Sequence, residues 1–367
     1  MVYDNDNNGS DLGDNRSMYE LEFPSPDMSS NRSQPGITMV IALQGYADAG
    51  HAVEATSDHI LSSLDHRLVA SFNGDELIDY RSRRPIVTLH NGQIHDVEEL
   101  EIGLHIVRDK DGNPFLLLSG PEPDMRWEAF TRAVVDLTER FGVTTTVALY
   151  SAPMAVPHTR PMIVTGHGND SGVVGKHVRF EETMHVPGSA ALNIEAALHK
   201  RGQSVGGYTA FVPNYISGSF YPEAALNLLR SIEQVAHVTI PMTALEREEE
   251  RVARDLAMQT DASPEVQQIV GIMEEQYDNR IQAYHRQHPD AALPGEANVP
   301  TPDELGEEFE RFLATVDSPK SLEQNQATQT QPPSNNARLE EPDDSEDSDD
   351  PDEDGGGRHR RRGFHFF

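Results

Sequence analysis

Apolar and polar positions alternate with two different periods along residues 37–240. The run 37–43 (ITMVIAL) is continuously apolar, as expected for a central strand buried on both faces of a sheet. Segments with apolar residues at helical spacing separate this run from further β-branched runs, which predicts a mixed sheet flanked by helices in an α/β fold. The predicted strands are 37–43, 68–72, 85–89, 102–107, 114–118, 144–150, 162–165 and 204–212, and the predicted helices are 51–64, 127–141, 192–199 and 222–237.

After Pro241 the pattern is only helical, over residues 244–258, 264–286 and 302–316. Ser263 before Pro264 is a favourable N-cap, and Thr301 with Glu304 three residues later has the form of a capping box. These helices carry apolar stripes that one sheet need not cover completely. We therefore expect them to pack on the core or on a neighbouring subunit of a homo-oligomer.

Composition changes at both ends of this region. Residues 1–36 are rich in Asn, Asp, Ser and Pro, and we predict that they are disordered, except that 18–23 can dock as a short segment. Residues 317–367 are predicted to form a disordered acidic tail, since 11 of the 15 residues in 340–354 are acidic. A triple glycine and the basic cluster Arg358–Arg362 follow. The predicted organisation is a disordered segment 1–36, a core domain 37–240, a helical extension 241–316 and a tail 317–367.

The chain has 61 acidic and 29 basic residues, which gives a net charge of -32. The acidic excess is not confined to the tail, because 41 acidic and 21 basic residues lie within 37–316. Such a surface repels polyanions, so we expect neither nucleic acid nor an anionic membrane as a partner. The first 17 residues contain no apolar signal region, and no run of about 18 apolar residues occurs, which predicts a cytoplasmic protein.

Several kinds of chemistry are not expected. The absence of cysteine excludes disulfides, thiol catalysis and thiolate metal sites. His158, His167, His177 and His185 lack zinc-type spacing, so we predict no metal. The chain has no Gly-x-Ser-x-Gly elbow, no phosphate loop and no complete dinucleotide fingerprint, and we predict neither a cofactor nor catalytic residues.

The turn from Gly45 to Gly50 joins the first predicted strand to the first predicted helix. Proteins with α/β folds often bind ligands at such turns, because amides at a helix N-terminus attract anions. Gly45, Asp48 and Gly50 are therefore ligand-binding candidates. Asp48 would itself repel a phosphate, and the alternative is a tight turn with Asp48 near the helix N-terminus.

Two further strand ends carry candidates. Glu122 lies between two prolines after a predicted strand, where it is either an acid/base or ligand-binding group or a cap of the following helix. Asn214 and Tyr215 follow the predicted strand that ends at Val212. They either line the same edge pocket or pack within their own loop.

The segment 157–161 (PHTRP) follows the predicted strand that ends at Tyr150. The imidazole of His158, the hydroxyl of Thr159 and the guanidinium of Arg160 form a candidate anion site. In the alternative interpretation, Arg160 pairs with Glu122 and joins two loops.

Six motifs occur in order along the chain. They are 72–85 (FNGDELIDYRSRRP), 120–123 (GPEP) with Trp127, 157–161 (PHTRP), 212–215 (VPNY), 273–278 (MEEQYD) and 307–313 (EEFERFL). Together they resemble the actinobacterial branch of the family named after the second eukaryotic proteasome assembly chaperone. The resemblance implies a three-layer α/β/α sandwich with a mixed sheet, similar to the purine nucleoside phosphorylase-like fold, and self-association, expected as a trimer.

The resemblance also leaves two hypotheses for function. In the first, the protein is a non-catalytic, chaperone-like assembly scaffold, with proteasome subunits as candidate partners. In the second, it binds nucleoside- or phosphate-like small molecules, or acts on them, at the carboxyl edge of the sheet.

The chain ends in His365, Phe366 and Phe367, which are partner-docking candidates. In assembly chaperones and proteasome activators, tails that end in a hydrophobic residue, Tyr and any residue insert into pockets on the proteasome α-ring. Phe366 occupies the penultimate position here, on a long polar tether. His365 stands where a hydrophobic residue is expected and Phe366 lacks the tyrosine hydroxyl, so the alternative is an aromatic end with no docking role.

Overall fold

The computed structural model describes residues 18–22, 36–175, 177–179, 183–289 and 294–295. The strands are β1 (Tyr19–Leu21), β2 (Ile37–Gln44), β3 (Asp65–Phe72), β4 (Val87–His90), β5 (Gln93–Val97), β6 (Gly103–Arg108), β7 (Pro114–Pro121), β8 (Val143–Met154), β9 (Val164–Gly168) and β10 (Ser204–Pro213). The helices are α1 (Ala52–Ser63), α2 (Gly74–Leu77), α3 (Trp127–Arg140), α4 (Ser171–Val174), α5 (Ala190–Lys200), α6 (Pro222–Ala236), α7 (Thr243–Asp261) and α8 (Pro264–Gln287).

Eight of these strands form one mixed sheet in the order β1-β3-β6-β7-β2-β8-β10-β9. The neighbours β7, β2, β8 and β10 run parallel, whereas β1, β6 and β9 are antiparallel to the strands beside them. The predicted mixed sheet is therefore confirmed. The carboxyl ends of the parallel strands lie at one edge, and the loops that leave this edge carry the candidate site.

The central strand β2 contributes to two hydrophobic cores. Met39, Ile41 and Leu43 belong to one core, and Val40 and Ala42 belong to the other. Successive side chains of a strand point to opposite faces, so a strand covered by helices on both sides needs a continuous apolar run. This requirement explains the run that the sequence shows at this position.

A layer of helices covers each face of the sheet. Phe130 of α3 and Ile194 of α5 are fully buried in the first core, and Ile60 of α1 and Leu229 of α6 are fully buried in the second. Each such side chain contributes roughly 1.5–3 kcal/mol relative to an exposed one. The predicted three-layer α/β/α arrangement is thus confirmed.

Two long helices follow the sandwich, as predicted. Leu245 of α7 joins the second core, while Tyr277 of α8 packs in a separate small cluster with Val156 and Ile163. The hydroxyl of Ser263 accepts a hydrogen bond from the amide of Val266 at 3.4 Å, so the predicted N-cap of α8 is present. The predicted helix 302–316, its capping box and the tail 317–367 lie outside the described residues.

One predicted strand does not join the main sheet. The segment 85–89 was expected to be a strand of the core, but Val87–His90 forms β4, which pairs only with β5 in a separate two-stranded sheet. Every residue of β4 and β5 is exposed. Tyr19–Leu21, within the segment expected to dock, pairs with β3 as an edge strand, and Met18 is fully buried.

Candidate functional site at the carboxyl edge of the sheet

The loops after β2, β7, β8 and β10 leave the same edge of the sheet and carry the ligand-binding candidates predicted from the sequence. These candidates fall into two groups. The loops after β2 and β7 meet near the N-terminus of α5, and the loops after β8 and β10 meet beneath α8.

Asp48 fixes the beginning of α1. Its Oδ1 accepts a hydrogen bond from the amide of Val53 at 2.7 Å, and its Oδ2 accepts one from the amide of Glu54 at 3.2 Å. Gly50 adopts a φ of 70° in this turn and donates its amide to the carbonyl of Ser217. Burial raises the pKa of Asp48, and the two amide hydrogen bonds oppose this rise. Asp48 thus occupies two of the amides that an anionic ligand would use, as in the tight-turn alternative.

Glu122 caps a helix, but not the helix predicted. Its Oε1 accepts a hydrogen bond from the amide of Ala190 at 2.7 Å, at the N-terminus of α5. The following helix, α3, is instead held at its first turn by Trp127, whose Nε1 donates to the carbonyl of Pro123 at 2.5 Å. A Cβ atom at Gly45 would lie 2.5 Å from Oε2 of Glu122, so only glycine leaves room for this carboxylate. The expectation that Glu122 caps the following helix is therefore corrected to a cap of α5.

Sequence analysis missed a cluster of titratable groups beside Glu122. Tyr150 of β8 donates its hydroxyl to Oε1 of Glu195 at 2.5 Å, and Nε2 of His167 lies 3.0 Å from Oε2 of the same carboxylate. A Cβ atom at Gly207 would lie 2.7 Å from the ring of His167 and 2.8 Å from the ring of Tyr150. Glycine inside a strand indicates such a close approach, and the pair Gly206-Gly207 was the signal that could have revealed this cluster.

Glu195 is buried, and its carboxylate changes the protonation behaviour of both neighbours. Burial and then the charge of Glu195 raise the pKa of Tyr150 well above its ordinary value. The hydrogen bond to Glu195 raises the pKa of His167, with burial acting in the opposite direction. The buried tyrosine therefore remains a donor, and the half-exposed imidazole favours its charged form.

Arg160 binds two carboxylates of α8. Its Nε and Nη2 donate to Oδ1 and Oδ2 of Asp278, each at 2.9 Å, and its Nη1 donates to Oε1 of Glu274 at 3.0 Å. Thr159 also donates its hydroxyl to Glu274, and Tyr277 donates to the carbonyl of Pro161 at 2.7 Å. The expected pairing of Arg160 with Glu122 is wrong, because α8 supplies the acidic partners. We call this set of contacts between 159–161 and α8 the α8 clamp.

Charge pairing within the α8 clamp favours the ionised forms. The hydrogen bonds that Arg160 donates to Asp278 raise the pKa of Arg160, and the same contacts lower the pKa of Asp278. A bidentate pair of this kind is stronger than a single neutral hydrogen bond. The guanidinium is thus already engaged by intramolecular anions.

His158 and Tyr215 form a second contact between these loops. The hydroxyl of Tyr215 accepts from the amide of His158 at 2.8 Å and lies 2.7 Å from its Nδ1, and the two rings meet edge to face with centroids 5.9 Å apart. Burial lowers the pKa of His158 and raises that of Tyr215, so both are neutral near pH 7. The amide of Asn214 donates to the carbonyl of Met154. These contacts match the loop-packing alternative, and binding of a ligand at either group of loops stays a prediction.

The described residues hold no group of three or more His, Asp or Glu side chains that could bind a metal ion. Among these same residues, no helix has both the length and the apolar character needed to cross a membrane.

Solved structures share this architecture. A protein of unknown function from Corynebacterium glutamicum is 54% identical, with 73% of this chain and 99% of that chain covered and a TM-score of 0.71. A protein of unknown function from Mycobacterium tuberculosis is 42% identical, with 73% and 93% covered and a TM-score of 0.70. A second M. tuberculosis protein, a proteasome-assembly chaperone homologue, is 25% identical, with 64% and 100% covered and a TM-score of 0.58. No curated protein matches the chain.

The fold and these neighbours define an α/β/α protein of a kind found in actinobacteria. The model of the PAC2 family matches residues 42–260. The chain therefore belongs to the PAC2 family, and the family predicted from the ordered motifs is confirmed.

Proposed function

We propose that this protein is a non-catalytic, chaperone-like scaffold that binds other proteins, with proteasome subunits as its candidate partners. Its membership of the PAC2 family and its similarity to a proteasome-assembly chaperone homologue support this proposal. The observation that carries it is the engagement of the polar candidates within the chain. Asp48 and Glu122 cap helices and Arg160 holds α8, so a small ligand would have to displace existing bonds.

The test is a binding experiment with purified components. The full chain is mixed with the separately purified α- and β-subunits of the proteasome of its own organism, and the mixture is separated by size-exclusion chromatography. We expect a stoichiometric complex with one of the subunits. Elution of every component at its own position, at micromolar concentration, would contradict the proposal.

A variant without residues 365–367 tests the predicted docking role of the chain end. These residues lie outside the described part of the chain, so the expectation depends on the sequence alone. The shortened chain is expected to lose subunit binding while its melting temperature is unchanged. Equal binding by both chains would show that another surface makes the contact.

Self-association as a trimer is part of this proposal. Exposed apolar side chains along α7 and α8 support it, namely Met258, Val266, Ile269 and Ile272. Light scattering should give a mass three times that of the 40.7 kDa chain. A monomeric mass at micromolar concentration would contradict it.

A second candidate function is the binding of a nucleoside- or phosphate-like molecule. The polar cluster of Glu122, Tyr150, Glu195 and His167 at one sheet edge favours the nucleoside-like class, because carboxylates accept hydrogen bonds from hydroxyl and amino groups but repel phosphate. A ligand that binds only the folded chain raises the melting temperature by mass action. Screening nucleosides, nucleotides and phosphate against the wild type and Glu195→Gln should give a shift only in the wild type, and the absence of any shift would contradict this function.

A further inference from the structure

The hairpin formed by β4 and β5 has one apolar face. In its register Val87 lies opposite Val97 and Leu89 lies opposite Ile94, and an irregularity between Thr88 and Leu89 keeps both pairs on the same side. The exposed fractions of Val87, Leu89, Ile94 and Val97 are 47%, 65%, 69% and 47%. We call these four side chains the hairpin face.

An exposed aliphatic face on a hairpin of this size is unusual in an isolated molecule. A two-stranded hairpin is at best marginally stable in water, and contiguous exposed apolar patches mark sites of protein interaction. The hairpin face is therefore expected to contact another protein.

An open groove of about 740 Å³ begins at the base of the hairpin, where Val97 contributes to both surfaces. Segments around β1, the end of β3, α2 and residues 97–101 line it. Its carboxylates are Glu20, Asp75, Glu98, Glu99 and Glu101, all on exposed residues, and its aromatic side chains are Tyr19, Phe72 and Tyr80. Among the described residues, no Lys, Arg or His lines the groove. We call this surface the acidic groove.

The charges of the acidic groove indicate what binds there. Two carboxylates are partly used internally, since Oε2 of Glu98 accepts from the amide of Ile86 at 2.7 Å and Asp75 accepts a hydrogen bond from the hydroxyl of Tyr80. Lys and Arg side chains form charge-assisted hydrogen bonds with carboxylates and are attracted to the faces of tyrosine rings. The same surface on a second copy carries the same carboxylates, so its contact with this groove would bring like charges together, whereas the proposed trimer contact uses α7 and α8.

We infer that the hairpin face and the acidic groove form one docking surface for a basic, partly aliphatic segment of a different protein. The aliphatic side chains of that segment cover the hairpin face, and its Lys or Arg side chains enter the acidic groove. This inference rests on the proposed function, because it names the surface and the chemistry of the partner that a protein-binding scaffold needs.

The test uses two fluorescein-labelled synthetic peptides, one alternating Lys with Leu and one alternating Glu with Leu, and the full chain. Fluorescence anisotropy should show binding of the Lys-Leu peptide that weakens as salt is added, and no binding of the Glu-Leu peptide. Binding of both peptides with equal affinity would overturn the inference.

Three variants locate the binding. Glu20→Gln/Glu99→Gln/Glu101→Gln removes groove charges and leaves Glu98 in place, and Leu89→Ser/Ile94→Ser removes the centre of the hairpin face. Each should weaken binding of the Lys-Leu peptide about tenfold, which corresponds to the usual binding free energy of several exposed ion pairs or of two aliphatic contacts.

The control variant Asp261→Asn/Glu265→Gln/Glu275→Gln makes the same change in net charge as the groove variant, but on α7 and α8. It should change the affinity for the Lys-Leu peptide less than about twofold. Equal weakening by the control and the groove variant would overturn the inference.

The proteasome-subunit experiment separates this inference from the proposed function. If the subunits bind the wild type and the groove variant equally, the hairpin face and acidic groove are not the docking surface, while the proposed scaffold function is retained. If the subunits do not bind but the Lys-Leu peptide binds at the groove, the proteasome subunits are not the partners, while the inferred docking surface for a basic segment is retained. Loss of self-association in Leu89→Ser/Ile94→Ser, with peptide binding unchanged, would identify a second copy as the occupant and overturn the inference.

Discussion

At the β8–β10 side of the sheet the guanidinium of Arg160 lies between Asp278 and Glu274, whereas at the β1–β3 side five carboxylates line a groove open to solvent. Both regions carry charged residues from the ordered motifs. In the α8 clamp each charge has an intramolecular partner, whereas the described residues that line the acidic groove include five carboxylates and no cation. The motif 157–161 has the residue types of an anion site, yet in the structure it holds α8 in place. The open charged surface is instead formed by residues around β1, the end of β3 and 97–101.

The apolar contacts differ in the same way. Tyr277 of α8 is buried against Val156 and Ile163, but Leu89 and Ile94 on the hairpin are more than half exposed. Stability should therefore depend on the α8 clamp, and binding should depend on the hairpin face.

Replacing Tyr277 by Ala should have the largest effect. The change removes a buried ring and the hydrogen bond to the carbonyl of Pro161, and buried aromatic truncations cost about 3–5 kcal/mol. Hydrogen exchange should show faster opening of α8, over 264–287. Tyr277→Phe is the matched control and should cost only about 1 kcal/mol, because it removes the hydrogen bond alone. Unchanged exchange in Tyr277→Ala would show that the clamp does not hold this helix.

Replacing Arg160 by Gln should have an intermediate effect. The side chain of Arg160 is 32% exposed, so solvent screening limits the loss to about 1 kcal/mol of unfolding free energy. Chemical denaturation of Arg160→Gln, Asp278→Asn and the double variant measures the coupling between the two residues. Arg84→Gln, an exposed arginine near the hairpin, serves as a control and should change stability by less than about 0.5 kcal/mol. Additive effects of the first two changes would contradict a direct interaction.

The pairing of His167 with Glu195 should give a smaller, pH-dependent contribution. Because the folded pKa of His167 is raised, its stabilisation is fully present below the unfolded value of about 6.5 and is lost as pH rises through the folded pKa. The difference in unfolding free energy between wild type and His167→Gln should therefore be largest below about pH 6.5 and shrink over the pH range above it. His158, His177 and His105 have lowered pKa values and act in the opposite direction, but they are present in both proteins. A difference that is constant over this pH range would show that the pair does not stabilise the charged imidazole.

Changing the hairpin face should have the smallest effect on stability. Leu89→Ser and Ile94→Ser replace exposed side chains and should each change the unfolding free energy by less than about 0.5 kcal/mol. Thermal denaturation of the two variants measures this effect. A loss as large as that of Tyr277→Ala would show that the hairpin face is part of the folded core.

The sequence determined the layered fold and most of its elements. Local periodicity was sufficient for this because the apolar positions of a strand or helix indicate which of its faces pack against other elements. The continuously apolar run 37–43, for example, indicates that β2 is covered on both faces. The N-cap Ser263 is similarly local, and it occurs as predicted. The ordered motifs were sufficient to place the chain in its family.

Only the tertiary structure decided which partner each polar group takes. Arg160 reaches Asp278 across 118 positions and Glu122 reaches Ala190 across 68, and no local pattern records such distances. The tertiary structure likewise decided that β4 pairs with β5 alone and does not join the main sheet. Periodicity reports whether a side chain is buried, but a hydrogen bond or ion pair depends on which distant segment packing brings within about 3 Å.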